Sequence, residues 1–281
     1  MLKKLPLASS AILALSGSAF AADLSRRTVI APAPAPVFTA VPVFTWTGFY
    51  VGVSGGYLFN DNTDVEMIGL LQGNINAVAA NARPSRLRLE NEGFLIGGTA
   101  GFNLQLQNFV FGIEGDVSYT DADKTVVQFN PIQFGANAPG TLRNTLRQEM
   151  DYFATIRARA GIAFDRVLVY ATGGAAMADI ENTADFSSPR LGPTQFFGQR
   201  SETQVGYTVG GGVEFALPAG FLLGSAATFK TEYLYYDLGK TSVAVLPTAT
   251  GVPLGVGGYV SRFENEGHIV RGGINFKFGT F

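Results

Sequence analysis

The chain has 281 residues, a formal net charge of −2 and no cysteine. The lack of cysteine excludes disulfides and thiolate metal sites, and the near-neutral charge offers no electrostatic footprint for nucleic acid. Charged residues make up only 15% of the chain, against ~25% in soluble domains. Together with 35 glycines, this composition favours an exported, β-rich protein, and we expect no cofactor and no nucleic-acid partner.

Residues 1–21 predict a signal peptide. Lys3 and Lys4 precede a short apolar run from Leu5 to Leu15, and Ala19-Phe20-Ala21 forms a small-x-small cleavage site. The apolar run is too short to cross a membrane as a helix, which needs ~20 residues. We therefore expect the mature chain to begin at Ala22.

Residues 22–45 predict an extended linker. Alanine and proline alternate from residue 31 to residue 36, and Pro42 follows. Proline breaks helices, and repeats of this kind form a stiff, extended chain. Since a barrel is predicted to follow, we expect this linker to lie in the periplasm.

The chain from Trp46 to Phe281 predicts eight strands, because apolar and polar residues alternate there over eight segments. The segments are Thr47–Phe59, Gly93–Leu106, Phe109–Tyr119, Asp151–Phe164, Val167–Asp179, Thr203–Leu217, Ala226–Tyr236 and Glu266–Phe278. Each can cross a bilayer as a tilted strand, which takes ~9–11 residues. The predicted fold class is an all-β, eight-stranded, antiparallel up-and-down transmembrane barrel.

The connections between these segments alternate in length. Gln107-Asn108 and Asp165-Arg166 are two-residue turns, whereas residues 60–92, 120–150, 180–202 and 237–265 are predicted to be four long loops. Short periplasmic turns and long extracellular loops are typical of outer-membrane barrels. An even strand number then places both termini in the periplasm.

Charged residues in the strand segments avoid the apolar face. In the third segment, for example, Phe111 and Ile113 alternate with Glu114 and Asp116. Nine charged residues have this inward parity: Glu114, Asp116, Arg157, Arg159, Glu214, Lys230, Glu232, Arg271 and Lys277. A soluble β-sandwich would have the opposite arrangement, with the apolar face as its core. The even strand count, the short turns and the aromatic C-terminus favour the barrel.

The last segment has the pattern of a closing strand. Phe276 and Phe278 share the apolar face, while Arg271 and Lys277 share the polar face. Phe281 has the opposite parity to Phe278, so we expect the lipid-facing register to end at Phe278 and the role of Phe281 to be secondary.

Five stretches resemble the small outer-membrane β-barrel family of alphaproteobacteria, which includes surface antigens and hemin-binding proteins. They are Trp46-Thr47-Gly48-Phe49-Tyr50-Val51-Gly52, Gly112-Ile113-Glu114-Gly115-Asp116, Arg157-Ala158-Arg159-Ala160-Gly161, Tyr170-Ala171-Thr172-Gly173-Gly174-Ala175, and the run from Lys230 to Gly239. The resemblance covers almost everything from Trp46 onward. It implies an OmpA-like eight-stranded barrel, integral to the cell outer membrane.

The inward charges predict a filled lumen, because eight strands leave just enough room for side chains. We expect a salt-bridge network there; the alternative is a narrow ion path. An enzyme is not expected, since the only histidine, His268, has lipid-facing parity. The predicted function is therefore structural, contributing to outer-membrane integrity and cell-surface interactions.

Aromatic residues near the strand ends predict two girdles at the membrane boundaries. Trp46, Phe49, Tyr50, Phe109 and Phe164 are assigned to the periplasmic girdle, and Tyr57, Phe59, Tyr119 and Tyr207 to the outer one.

The long loops are where partner binding is expected. The expected partners are outer-membrane lipid and lipopolysaccharide, and the barrel-assembly machinery during insertion. An alternative function, implied by the resemblance, is binding of hemin or of host or environmental surface molecules. The few candidate iron ligands on the outer side are Met67, Tyr259 and His268. Arg83, Arg86 and Arg88 are read as a solvated charge run, with lipopolysaccharide phosphates as the alternative partner.

Overall fold

The computed structural model describes residues 44–60, 64–133, 139–188, 192–218, 226–248 and 257–278. The predicted signal peptide, the predicted linker up to residue 43, and Phe281 lie outside these residues. The described part contains ten strands and one helix. The strands are β1 Gly48–Phe59, β2 Asp64–Gly69, β3 Arg86–Arg88, β4 Glu92–Leu106, β5 Phe109–Gln133, β6 Pro139–Phe164, β7 Val167–Ser188, β8 Gly192–Ala216, β9 Ala226–Pro247 and β10 Tyr259–Phe278; the helix is α1 Gln72–Ala79.

Eight of the strands close into a barrel. β1 and β4 to β10 pair antiparallel in the order β1-β4-β5-β6-β7-β8-β9-β10, and β10 pairs back onto β1. Phe278 lies opposite Phe49, and Phe276 lies opposite Val51. The predicted fold class and strand number of the barrel are confirmed. Among the described residues, no helix has the length and hydropathy to cross a membrane.

The half of the barrel that contains Phe44 and Phe278, the described residues nearest the two termini in sequence, has an apolar outer wall. Large apolar side chains are exposed there on all eight strands, for example Ile113 on β5, Ile156 on β6 and Phe278 on β10. An exposed apolar surface of this extent is unfavourable in water, whereas a barrel wall in contact with the hydrocarbon core of a membrane requires it. This half is the part that spans the membrane.

The other half, which we call the distal head, shows that the prediction of four long loops was wrong, because most of its residues form strands. It comprises the described residues of 64–91, 121–150, 180–206 and 237–266. For example, β5 and β6 pair as far as Gln133 and Pro139. In place of β1 and β4, the shorter β2 and β3 extend the sheet beyond β10.

The distal head reverses the polarity of the wall. Its inward side chains are largely apolar, such as Leu146, Phe186 and Val243, and its outward side chains include Asp123 and Arg147. A β-bulge between Met150 and Tyr152 shifts the inward parity of β6 by one residue, whereas on β5 the buried side chains stay even-numbered across the register shift between Tyr119 and Ala122. Asp151 lies at the β6 bulge and is exposed.

Candidate functional site

The interior of the membrane-spanning half is the most distinctive chemical feature of the protein. All nine charged residues predicted to point inward are buried there, each with no more than 8% of its surface exposed. They come from five strands: Glu114 and Asp116 from β5, Arg157 and Arg159 from β6, Glu214 from β8, Lys230 and Glu232 from β9, and Arg271 and Lys277 from β10. We call these nine residues the lumen charge network.

Arg157 occupies the centre of the network. Its Nη2 lies 2.6 Å from Glu114 Oε1 and 3.0 Å from Asp116 Oδ2, and its Nη1 lies 2.9 Å from Glu232 Oε1. Its Nε donates a hydrogen bond to Thr155 Oγ1 at 2.9 Å. One guanidinium therefore joins carboxylates from β5 and from β9.

Two further bases cross the lumen. Lys230 Nζ on β9 lies 2.7 Å from both carboxylate oxygens of Glu114 on β5. Arg271 on β10 lies 2.8 Å from Asp116 Oδ1 through Nη1, and its Nε donates to Glu232 Oε2 at 2.8 Å. Because these contacts join strands far apart in the ring, the network fills the lumen from wall to wall.

Arg159 forms the lower part of the network, toward the termini. Its Nη2 lies 2.7 Å from Glu214 Oε2, and its guanidinium carbon is 4.1 Å from the ring centroid of Tyr170. The Tyr50 hydroxyl accepts a hydrogen bond from Arg159 at 3.0 Å and donates one to Glu114 at 2.7 Å. Tyr170 donates to Glu232 at 3.0 Å. The two tyrosines thus connect Arg159 to the central carboxylates.

Inward-facing glycines make room for these tyrosines. A Cβ on Gly101 would lie 2.3 Å from the Tyr50 hydroxyl oxygen, and one on Gly212 would lie 2.6 Å from that of Tyr170. Glycine at polar-face positions of the strands is therefore a signal in the sequence that the lumen holds large side chains.

Eight of the nine charges balance. Glu114, Asp116, Glu214 and Glu232 face Arg157, Arg159, Lys230 and Arg271, which gives four negative and four positive charges. Burying charges is tolerable only when they are paired and hydrogen-bonded, and the network meets that condition. The equality leaves no net charge at its centre to attract a permeating ion.

The ninth charge, Lys277, binds the segment that precedes β1. Within the described part of the chain it makes no salt bridge with a carboxylate; it donates to the Thr45 carbonyl oxygen and lies 4.6 Å from the ring centroid of Phe44. We call residues 44–47 the basal plug. Lys277 holds this plug inside the end of the barrel next to the termini.

Trp46 is the largest side chain of the basal plug, and it is fully buried. Its indole Nε1 donates to the Asp165 carbonyl oxygen at 3.3 Å, and its backbone N donates to Gln105 Oε1 at 2.7 Å. The assignment of Trp46 and Tyr50 to the periplasmic girdle was therefore wrong, because both point into the lumen. Phe49, Phe109 and Phe164 are exposed on the outer wall as predicted.

Above the charge network the interior alternates between apolar and polar layers. An apolar layer that includes Leu58, Phe153 and Tyr236 comes first. Next, the Gln148 amide donates to Asn182 and Asn265 at 3.0 and 2.8 Å. A second apolar layer, which includes Leu146, then fills the distal head. An ion path would have to cross both apolar layers.

The structure does not bring the candidate hemin ligands together. Met67 and Tyr259 are buried in the apolar layer of the distal head, whereas His268 lies on the outer wall, with Nδ1 2.7 Å from the Tyr233 hydroxyl oxygen. No group of three or more potential metal ligands among histidine, aspartate and glutamate is present in the described ranges.

The three arginines that were predicted to form one solvated charge run lie in different environments. Arg86 and Arg88 lie on the surface beside Asp64 and Glu90, at 3.4 and 3.8 Å. Arg83 is buried, so it does not belong to a solvated charge run; it donates to Asn144 Oδ1 at 2.6 Å, and burial lowers its pKa.

Comparison with known proteins gives consistent matches. The family model for the outer membrane protein beta-barrel domain matches residues 8–259. The 31 kDa outer-membrane immunogenic protein of Brucella melitensis is 30% identical, over 99% of this chain and 100% of that protein. The 22 kDa outer membrane protein of Rhizobium leguminosarum is 26% identical, over 77% of this chain and 79% of that protein. Among solved structures, the outer membrane protease OmpT from Escherichia coli aligns at 10% identity with a TM-score of 0.43, over 82% of this chain and 97% of that one.

Proposed function

Because the chain belongs to the outer membrane protein beta-barrel domain family, we propose that it is a structural protein of the outer membrane whose lumen is permanently sealed. Its two relatives named above carry the names of outer-membrane proteins and not of enzymes. The protein would act by occupying the membrane as a rigid barrel and by presenting the distal head at the cell surface, where it takes part in surface interactions.

One observation carries this proposal: the lumen charge network joins opposite walls of the barrel. Arg157 bridges β5 to β9, and Arg271 bridges β10 to β5. Removing one member of a buried ion pair costs about 3–5 kcal/mol, so each of these contacts resists opening. Such a lumen favours a structural role over transport, because the buried tyrosine and arginine side chains occupy the described part of the lumen in which a solute would otherwise pass or bind.

We also propose an orientation, with both termini in the periplasm and the distal head outside the cell. The two-residue turns at Gln107 and Asp165 lie at the end next to the termini, as in other outer-membrane barrels. The outer wall of the head carries cross-strand ion pairs such as Arg147 with Asp123 at 2.9 Å, which suits water. The exposed aromatic residues at the boundary would then contact outer-membrane lipid and lipopolysaccharide, and the closing strand would engage the barrel-assembly machinery during insertion.

The orientation can be tested with single cysteines, because the chain has none. Asn76→Cys in the head should react with a membrane-impermeant maleimide on intact cells. Gln107→Cys in the basal turn should react only after the outer membrane is permeabilised. The reverse pattern would overturn the orientation.

The structural role requires a second experiment. Cells that lack the protein should become more sensitive to detergents, and the wild-type chain should restore resistance. The protein should fractionate with the outer membrane and should migrate differently in SDS gels before and after heating. The structural role would be contradicted if the wild-type chain assembles normally in the outer membrane and cells that lack it are no more sensitive to detergents.

A further inference from the structure

Strands β8 and β9 separate in the wall of the distal head. They pair from Tyr207 toward the end of the barrel next to the termini, and they pair again at Phe197. Between these points no ladder pair joins residues 198–206 of β8 to residues 238–245 of β9, and all of these residues belong to the described part of the chain. The barrel wall is therefore interrupted at this place.

A β-bulge in β9 accounts for the separation. Leu238 and Gly239 together face the single residue Asn265 of β10. Gly239 has a φ of 82°, a conformation that favours glycine, and its backbone N–H donates to Asp237 Oδ1 at 2.8 Å. A bulge bends the strand that contains it, so β9 stays paired with β10 and departs from β8.

Inward-pointing side chains of β8 are exposed along this interruption. The β7–β8 register runs without a one-residue shift along residues 196–215 of β8, so the even-numbered residues keep facing the interior. Arg200 lies opposite Asn182 of β7, and Glu202 lies opposite Ile180. Both β7 residues are fully buried, whereas the side chains of Arg200 and Glu202 are 51% and 27% exposed. The interior is therefore open to the outside between β8 and β9, and we call this interruption the side opening.

The side opening leads to the polar layer inside the head. In this layer the Gln148 amide donates to Asn182 Oδ1 at 3.0 Å and to Asn265 Oδ1 at 2.8 Å. The Asn265 amide in turn donates to Thr241 Oγ1 at 3.0 Å. These contacts join β6 to β7, β10 and β9 but do not include β8. The ring of polar contacts is therefore incomplete on the side where the wall is open.

Asn182 presents a free hydrogen-bond donor at this place. Its side chain is fully buried, and its Nδ2 has no hydrogen-bond partner among the described residues. Because its Oδ1 faces Gln148 on the β6 side, its Nδ2 points toward β8. A buried donor without a partner is unfavourable, so an acceptor group that enters through the side opening is stabilised there.

The mouth of the side opening offers donors and acceptors in a neutral pair. Arg200 Nη2 lies 2.6 Å from Glu202 Oε2, and its Nη1 donates to the Ser242 carbonyl oxygen of β9 at 3.2 Å. Gln204 donates to the other carboxylate oxygen of Glu202. An anionic ligand would have to compete with Glu202 for the guanidinium. Uncharged hydroxyl groups, which both donate and accept hydrogen bonds, suit this arrangement better.

We propose that the side opening binds a neutral saccharide unit, with Asn182 Nδ2 and the Arg200 guanidinium donating to its hydroxyl oxygens and Glu202 accepting from its hydroxyl groups. The opening begins directly above Tyr207, which is exposed on the outer wall at the edge of the apolar band. With the head outside the cell, this is the level of the sugars of lipopolysaccharide, and free saccharides of the medium reach the same place. The inference rests on the proposed surface role of the head and names the chemistry of its partner.

The test measures binding to the purified full-length protein in detergent by isothermal titration calorimetry. The probes are the polysaccharide released by mild acid from lipopolysaccharide of the producing bacterium and, separately, glucose, galactose and mannose. Saturable binding of the polysaccharide alone assigns the site to lipopolysaccharide, and binding of a free sugar assigns it to saccharides of the medium. Binding of none of these probes would overturn the proposal, and so would displacement by inorganic phosphate, which indicates an anion site.

Two variants locate the binding. Arg200→Met should weaken it roughly tenfold, the loss expected for a hydrogen bond to a charged group. Asn182→Asp keeps the shape of the side chain but removes the free donor, and it should weaken binding to a similar extent. Arg147→Met is the matched control and should bind like the wild type, because Arg147 is similarly exposed, at 45%, in an ion pair on the outer wall of β6.

The heat-dependent gel shift shows whether each variant is folded, and it reports separately on the proposed structural role. If Asn182→Asp does not fold, Arg200→Met still decides the question, since the Arg200 side chain lies at the exposed mouth of the opening. A folded Arg200→Met variant that binds as tightly as the wild type would contradict the proposed site.

Discussion

Lys277 Nζ lies 5.9 Å from the ring centroid of Trp46, so the closing strand holds the residue just before the first strand inside the barrel. Lys277 also donates to the Thr45 carbonyl oxygen. The closure of β10 against β1 is therefore stabilised by side chains in the lumen as well as by the backbone ladder. This contact seals the end of the lumen next to the termini.

Replacing Trp46 by alanine should destabilise the barrel. The indole is fully buried, and Trp→Ala substitutions in cores cost roughly 3–5 kcal/mol. Denaturant unfolding of the barrel in detergent micelles measures the loss. Phe49→Ala is the control, since that ring is 67% exposed on the outer wall. Equal losses for the two variants would show that Trp46 is not buried in the lumen.

Arg157→Met should be far more destabilising than Arg147→Met, although both residues lie on β6. Arg157 is buried against three carboxylates, and its loss leaves them short of a cation, at a cost of about 3–5 kcal/mol. Arg147 pairs with Asp123 on the exposed wall of the head, where an ion pair contributes about 0–1 kcal/mol. The temperature at which the SDS-resistant form unfolds compares the two. Similar temperatures would contradict a buried network.

Two glycines of β4 should respond differently to a larger side chain. A Cβ on Gly101 would lie 2.3 Å from the Tyr50 hydroxyl oxygen, whereas one on Gly98 would meet nothing closer than 3.9 Å. Gly101→Val should therefore displace Tyr50 and reduce the folded fraction, and Gly98→Val should be tolerated. The heat-modifiable fraction in outer membranes measures both. An assembly defect confined to Gly98→Val would mean that the two faces of β4 are exchanged.

Assembly should depend on the end of the lipid-facing register. Phe278 lies opposite Phe49 and is 56% exposed on the outer wall. Phe278→Asp places a charge on the lipid face and should reduce assembly, whereas removal of residues 279–281 should be tolerated. The heat-modifiable fraction again provides the measurement. If only the truncation abolishes assembly, Phe281 is the terminal anchor and the register is wrong.

Sequence alternation was sufficient to predict the membrane-spanning half. Charges are rare on a wall that faces hydrocarbon, so Glu114, Arg157 and Lys230 mark the inward face without knowledge of their partners. The pairing itself was not predictable, because Arg157 meets Glu232, 75 residues away, only when the ring closes. The inward direction of Trp46 and Tyr50 was missed because both were assigned to the girdle from their position near the start of β1, although their even parity, shared with buried Ser54, points into the lumen.

The distal head was predicted as loops because each strand was expected to keep its apolar face outward along its whole length. Above the membrane the apolar face points inward. The bulge at Asp151 conceals this reversal in the sequence, because it shifts the parity of β6 by one residue. Leu146 and Ile156 are both apolar and even-numbered, yet Leu146 is buried and Ile156 is exposed. Alternation with the apolar face inward, and with one-residue shifts at bulges, would predict these strands from the sequence.

The most direct test of the account is the conductance of the purified protein in planar lipid bilayers. The lumen charge network is balanced, the basal plug fills one end, and two apolar layers lie above it. We predict that the wild-type protein shows no stable, porin-like conductance steps in salt solution. Large and long-lived steps from protein that retains its heat-dependent gel shift would contradict the sealed lumen.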